Sequence, residues 1–433
     1  MTPDYLRTRV LPLCLFFLLF CNCNKAVDPV RKVWVAREKG KYILYRNGAP
    51  FLVRGGSGYT YMERLKAIGG NTIRTWDTTG LGAILDEAAA NGLAVIAGFY
   101  VPESKYLDYF YRNQQKVDSQ YAAFREVVRR YRSHPALLMW CLGNEVDFPF
   151  RASYNKFYDA YNKLLDMIHT EDPDHPVTTT MVNYQFRNVM NIRLKVPGLD
   201  ILSFNTFGDL KHLARNLTSF SWLWNGPFLI TEWGIFSPQE SKLTAWGVPI
   251  EPTSTIKAGL YREFYTKDLP ADNPRFLGAL TFYWGQKEEV TPTWYSIIDE
   301  NGAATAIVGE MQAMWTDSAP KHKAPELEVM LLNGRKAADN ILMQPGTLQT
   351  AQVSMKIPVT KGLRIVWKVL DEDFDPQNSN HPIERKVDTT PRDSFRITFR
   401  APEKEGPYRI YSWIYDDYGN VATANIPFYV VGT

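Results

Sequence analysis

The stretch Leu137-Leu138-Met139-Trp140-Cys141-Leu142-Gly143-Asn144-Glu145 decides how the chain folds. A short unbroken apolar run that stops at a glycine reads as a strand buried on both faces, and the two polar side chains after it stand at its C-terminal end. The same design returns in Phe228-Leu229-Ile230-Thr231-Glu232-Trp233-Gly234. Six more short apolar runs, Phe51–Val53, Thr72–Thr75, Leu93–Gly98, Val177–Val182, Ile201–Phe204 and Ala279–Tyr283, bring the candidate strands to eight. Helical patterns separate most of them. The clearest spans Asn155 to His169, with Phe157, Tyr158, Tyr161, Leu164, Leu165 and Ile168 on one face, and 254–266 and 304–315 are similar. Eight buried strands alternating with helices over about 270 residues predict an α/β fold, a (β/α)8 TIM barrel over 51–317. The alternative, a doubly wound sheet, normally carries GxGxxG after an early strand. Gly55-Gly56-Ser57-Gly58 lacks that spacing.

Outward from the barrel the pattern changes at both ends. Residues 24–50 read as a β lead-in with a turn at Asn47-Gly48. Beyond a Lys/Pro/Ala linker, Leu363, Ile365, Trp367 and Val369 alternate with other residues. Tyr408–Tyr415 and Val421–Val430 flank a hairpin turn, so 325–433 predict a small all-β, Ig-like sandwich. A row of exposed Trp367 and Trp413 there would mark a glycan-binding face. Residues 1–23 read as an export signal: Arg7 and Arg9, then an apolar run from Val10 to Phe20. The run ends at Cys21-Asn22-Cys23 and resembles a bacterial lipoprotein signal. That resemblance implies lipidation of Cys23 (or Cys21) and an exported chain, lipid-anchored in the bacterial cell envelope. The remaining cysteine, Cys141, lies in an apolar run and reads as a buried, inert thiol.

Composition narrows the function. The chain has 433 residues, of which 45% are hydrophobic, enough for a large core. The net charge of +3 comes with no basic run, which argues against a nucleic-acid partner. Twelve Trp, 24 Tyr and 23 Phe suit flat ligands with polar rims, and sugars are such ligands. The six His are scattered, without HExxH or paired spacing, so neither a metal nor a cofactor is indicated.

Barrel chemistry sits at the C-terminal ends of strands. Two of these ends carry a carboxylate, Glu145 after the fourth strand and Glu232 after the seventh, which places them across the barrel mouth from each other. Paired carboxylates are what glycosidic cleavage needs: one protonates the leaving oxygen, and the other attacks the anomeric carbon or activates water. An isolated Glu in a loop is ordinarily a solvated surface residue. Here both follow apolar strand cores.

Leu142-Gly143-Asn144-Glu145 and Ile230-Thr231-Glu232-Trp233-Gly234 resemble the two active-site signatures of the large clan of retaining (β/α)8 glycoside hydrolases, closest to the family 2 β-galactosidase, β-glucuronidase and β-mannosidase barrels. His134-Pro135, Asn71 through Arg74 and the entry segment 47–55 fit the same pattern. The resemblance implies Glu145 as acid/base and Glu232 as nucleophile. It implies that Asn144 holds the sugar 2-hydroxyl, that Arg74 keeps Glu232 ionised and that Trp284 forms the floor of the sugar site. Many members place a Tyr after strand six to hydrogen-bond the nucleophile. Phe207 stands near that place and cannot donate, so either Tyr184, Tyr283 or Asn205 serves instead or the nucleophile is controlled differently. Trp76, Tyr100, Trp233, Trp246 and Trp294 are candidates to stack on sugar rings, with core packing as the competing role. Asp77 and Asp209 could touch hydroxyls or cap helices. Asn216-Leu217-Thr218 matches a glycosylation sequon. The reading is an exported retaining β-glycosidase acting on a carbohydrate. A transglycosylase using the same glutamates and a non-catalytic glycan-binding lipoprotein are the alternatives.

Overall fold

The computed structural model describes residues 32–357, 362–372, 384–385 and 394–432. The signal sequence with Cys21 and Cys23 lies outside these residues. Among the described residues no helix is long and apolar enough to cross a membrane.

The described residues open with β1 (Val33–Glu38), β2 (Lys41–Arg46) and β3 (Ala49–Pro50), an antiparallel sheet. Val33 N donates to Asp174 O, and Tyr42 N donates to Pro274 O. Both acceptors precede barrel strands, so the hairpin covers the N-terminal end of the barrel, and Val33 and Leu44 pack with Ala94, Ile96 and Leu229 there. The barrel strands follow: β4 (Val53–Ser57), β5 (Thr72–Arg74), β6 (Ala94–Phe99), β7 (Leu137–Leu142), β8 (Val177–Val182), β9 (Ile201–Thr206), β10 (Phe228–Trp233) and β11 (Phe276–Thr281). They run parallel in chain order and close by pairing β11 with β4. The helices α1 (Met62–Ala67), α2 (Leu81–Ala90), α3 (Leu107–Tyr111), α4 (Gln114–Tyr131), α5 (Asn155–Glu171), α6 (Phe186–Lys195), α7 (Leu210–Ser219), α8 (Ser254–Lys267) and α9 (Ala306–Thr316) alternate with them. On α5 the apolar face read from the sequence is the buried one.

Two strand boundaries differ from the sequence reading, and glycine is the reason for both. The first barrel strand is not Phe51–Val53 but β4, which runs on through Gly55 and Gly56. A Cβ on Gly56 would stand 2.4 Å from the Trp284 Cβ, so the strand must be bare where that indole packs. The eighth strand starts before Ala279, at Phe276. It includes Gly278, whose φ of 130° and 2.1 Å Cβ distance to Val53 O admit no side chain.

The remaining strands are β12 (Leu327–Leu332), β13 (Ile341–Met343), β14 (Leu348–Met355), β15 (Leu363–Asp371), β16 (Glu384–Arg385), β17 (Arg396–Arg400), β18 (Gly406–Asp416) and β19 (Val421–Val430). They form a three-stranded sheet, β12-β14-β17, and a five-stranded sheet, β13-β19-β18-β15-β16. Leu332, Val353 and Phe399 from the first meet Ile365, Ile410 and Ala424 from the second in one core. The other face of β18 packs towards the barrel: Tyr411, Trp413 and Tyr415 cluster with Ala303. Trp413 is therefore buried and Trp367 half-buried, its indole donating to Ser394 O, and the two make no exposed row.

Polar contacts lock the same junction. Glu251 pairs with Lys257 at 2.5 Å, and Arg409 pairs with Glu372 at 2.8 Å, all four side chains nearly or fully buried. Asn425 Nδ2 reaches Glu251 Oε2 at 2.7 Å, and Arg409 Nη2 reaches Pro249 O at 2.8 Å. Buried charge is tolerated only with such full pairing. Lys257 also donates to Thr293 O and Trp294 O, which ties the network to the loop after β11.

Candidate active site

Alternation along β5 and just past it puts Arg74 and Trp76 on one side of the chain, towards the barrel axis. Arg74 is fully buried. Its Nη1 donates to Glu232 Oε1 at 2.5 Å, and its Nη2 donates to Asn144 Oδ1 at 2.6 Å. Beneath it lies a layer of buried hydroxyls. Thr180 Oγ1 is 3.4 Å from Nη2 and 3.2 Å from Thr231 Oγ1. The β-branched run of β8 supplies these small polar groups without widening the barrel.

Glu232, at the end of β10, accepts a second hydrogen bond on the same oxygen, from Trp76 Nε1 at 2.8 Å. No described donor reaches Oε2. Glu145 follows β7 with φ of 54°, a left-handed conformation that costs a non-glycine residue about 1–3 kcal/mol and is held by its surroundings. Asn205 Nδ2 donates to Glu145 Oε1 at 2.8 Å and lies 3.2 Å from Asn144 Oδ1, while its own Oδ1 accepts from Thr231 at 2.9 Å. The two glutamates thus share one hydrogen-bonded array running Glu232–Arg74–Asn144–Asn205–Glu145. They line one cleft of about 420 Å³ with Trp76, Asn144, Phe207 and Tyr283.

Burial pushes the Glu232 carboxyl up to about 7. The Arg74 guanidinium and the Trp76 indole pull the other way, and the Glu145 charge adds to the rise. Arg74 therefore opposes the effect of burial without cancelling it, and does not by itself keep Glu232 ionised at every pH.

The aromatic assignments are partly redrawn. Trp76 binds the nucleophile candidate directly and stacks on Tyr283 at 5.7 Å, so it fills the donor role for which Tyr184, Tyr283 and Asn205 were considered. Tyr184 stacks instead on Phe204 and Phe220. Trp284 does not line the cleft. Its backbone N donates to Ser57 O, and its fully buried indole lies against β4, so Phe282, Tyr283 and Tyr295 form the wall where it was expected. Trp233 is core, packed on Tyr261 and Tyr265, because it sits one residue out of phase with Glu232. Trp294 is buried and bonded to Phe236 O, and Trp246 packs on Tyr429. Tyr100 is exposed outside the cleft lining. Asp77 closes a turn on Thr79 N, and Asp209 precedes α7 without a capping bond. Asn216 lies within α7. Cys141 is buried, beside Gly143 O. Tyr59, Lys287, Glu289 and Tyr295 complete the lining and were not singled out from the sequence. The last three come from the irregular loop after β11, which has no periodicity to read.

Residues 71–240 match the model described as glycosyl hydrolases family 2, TIM barrel domain. Over this segment the barrel is similar to the barrel domain of that family. A curated relative, the beta-glucuronidase of Chlorocebus aethiops, is 26% identical over 222 residues, which cover 44% of this chain and 31% of the relative. Among solved structures, the beta-glucuronidase of Bifidobacterium dentium is 18% identical with a TM-score of 0.51, covering 67% of this chain and 50% of that one. Beta-glucuronidase 2 of Bacteroides uniformis is 14% identical with a TM-score of 0.51, covering 92% and 48%. The chain thus spans about a third of the curated relative it matches and half or less of these two structures. Both neighbours share the fold. The matched segment holds Arg74, Trp76, Asn144, Glu145, Asn205 and Glu232, and ends before the loop that supplies the aromatic wall.

Proposed function

We propose that the chain is a retaining β-glycosidase that hydrolyses O-glycosidic bonds of an oligo- or polysaccharide by double displacement. The observation that carries this reading is the pinning of Glu232 through one oxygen. Arg74 and Trp76 both bind Oε1, which leaves Oε2 to attack an anomeric carbon in the cleft. Glu145, steadied by Asn205 through Oε1, donates the proton to the leaving oxygen. The C–O bond to the leaving group breaks as the bond to Glu232 forms. Glu145, now a carboxylate, takes a proton from water as that water displaces Glu232 and restores the original configuration. Asn144 is placed to bind a sugar hydroxyl beside the nucleophile, and the aromatic wall excludes water. The Bacteroides uniformis beta-glucuronidase 2 is covalently bound to cyclophellitol-6-carboxylate aziridine, so covalent chemistry occurs on a protein that shares this fold.

A panel of 4-nitrophenyl glycosides tests the reading, with the β-glucuronide first because relatives carry that activity in their names. Turnover of a β-glycoside with the β-anomer as first product by NMR is the expected result. An α first product would mean inversion, and no turnover of any β-glycoside would remove the assignment. The same chain is proposed to be exported and lipid-anchored, on the strength of the apolar run ending at Cys21-Asn22-Cys23. Replacing both cysteines with Ser should release it from the membrane fraction. Retention at the parent level would mean that something other than lipid holds it.

A further inference from the structure

A second cleft, of about 720 Å³, opens beside the first. Three segments at the C-terminal ends of neighbouring strands build it: Ser104 and Lys105 after β6, Asp147 to Arg151 after β7, and Gln185 with Arg187, Asn188 and Asn191 of α6 after β8. The β7 loop is common to both clefts. Asn144 and Glu145 face the first, and the residues from Asp147 onward face the second. We propose that this second cleft is a subsite on the leaving-group side, one sugar or more beyond the oxygen that Glu145 protonates, and that it takes an anionic sugar, one bearing a carboxylate or a sulfate. The inference rests on the reading of Glu145 as acid/base, because the group that accepts its proton must lie on its side of the cleaved bond.

Charge and an exposed aromatic ring carry the argument. Lys105, Arg151 and Arg187 line the cleft against one acid, Asp147. Lys105 is paired with Glu103 at 2.9 Å, whereas Arg151 and Arg187 have no ion-pair partner among the described residues. Arginine in that state offers a planar fork for an oxyanion. Phe150 lies in the same wall, 67% exposed, with Lys195 Nζ over its ring at 5.4 Å and the rest of its apolar surface open to a sugar ring. Asn191 also lines the cleft and is 1% exposed. Its Nδ2 holds Phe148 O, and its Oδ1 is buried without a partner.

The test compares tetragalacturonate, its methyl ester and sulfated cellotetraose by isothermal titration against the full chain and the double variant Arg151→Ala/Arg187→Ala. The methyl ester matches tetragalacturonate in length and shape and lacks its charge. The expected result is that an acidic chain binds at least tenfold tighter than the neutral ester, and that the double variant loses this margin while the ester is unaffected. Whichever acidic chain binds identifies the anion. Equal binding of acidic and neutral chains, no binding of either acidic chain, or an undiminished margin in the double variant would overturn the proposal. Turnover of the active 4-nitrophenyl β-glycoside, whose small leaving group does not reach the arginines, is followed in parallel. If it persists in Glu232→Ala, the glycosidase reading has failed. If it depends on Glu232 while the binding is indifferent to charge, only the subsite proposal has failed.

Discussion

Glu232→Ala is expected to lose on the order of 10⁵-fold in kcat/KM on every substrate, because no covalent intermediate can form without the attacking oxygen. The loss should not depend on the leaving group, since the missing atom acts on the sugar itself. Two further readouts separate a lost nucleophile from a damaged fold. Added azide fits the space vacated by the carboxylate and attacks from that side, giving an α-glycosyl azide from a β-glycoside. The second readout is the pH profile of the parent. Burial pushes the Glu232 carboxyl up to about 7, and the nucleophile works only when ionised. The parent's kcat/KM should therefore fall as pH drops through about 7, a limb that reports the free enzyme and disappears in the variant's residual activity. A Glu232→Ala protein of near-parent activity would place the nucleophile elsewhere, and an α-azide arising from the other glutamate's variant would exchange the two roles.

Glu145→Ala is expected to divide substrates by leaving group. A general acid contributes about 10²–10⁴-fold, and all of that is lost on a natural glycan whose leaving alcohol must be protonated. An aryl glycoside with a good leaving group needs little protonation, so its first step should be much less affected. The glycosyl-enzyme then stalls, because no base remains to activate water. Azide needs no base. It should accelerate turnover of the aryl substrate and yield a β-glycosyl azide, with the configuration read by NMR. Equal losses on glycan and aryl substrates, with no response to azide, would deny Glu145 the acid/base role. The hydrogen bond from Asn205 makes the location of the loss interpretable, since Asn205 stays bonded to Asn144 and Thr231 when the Glu145 side chain is gone.

Much of the barrel was legible because its signals are local. A short apolar run closed by a polar residue announces a buried strand whatever surrounds it, and the two ends at Glu145 and Glu232 could be placed on one rim before any contact was known. Arg74 and Trp76 could have been paired from their spacing alone, since residues two apart on a strand share a face. The same rule sets Trp233 opposite to Glu232 and sends it into the core. What the sequence by itself determined is therefore the strand order, the rim and the residue types carried to it.

The tertiary structure decided which neighbour each side chain meets. Trp284 left the expected floor because Gly56 opens a slot for its indole, a fit between residues far apart in the chain. The donor to Glu232 is an indole and not a phenol, because Trp76, just past β5, reaches the end of β10 three strands away around the barrel. Glu251, Lys257, Glu372 and Arg409 look like ordinary surface charges in the sequence. They are buried because β18 and β19 fold back onto the barrel and remove the solvent from all four. The raised carboxyl of Glu232 has the same origin. Its desolvation and the opposing pull of Arg74 exist only after the barrel has closed, since both depend on distances through space that a periodicity along the chain does not encode.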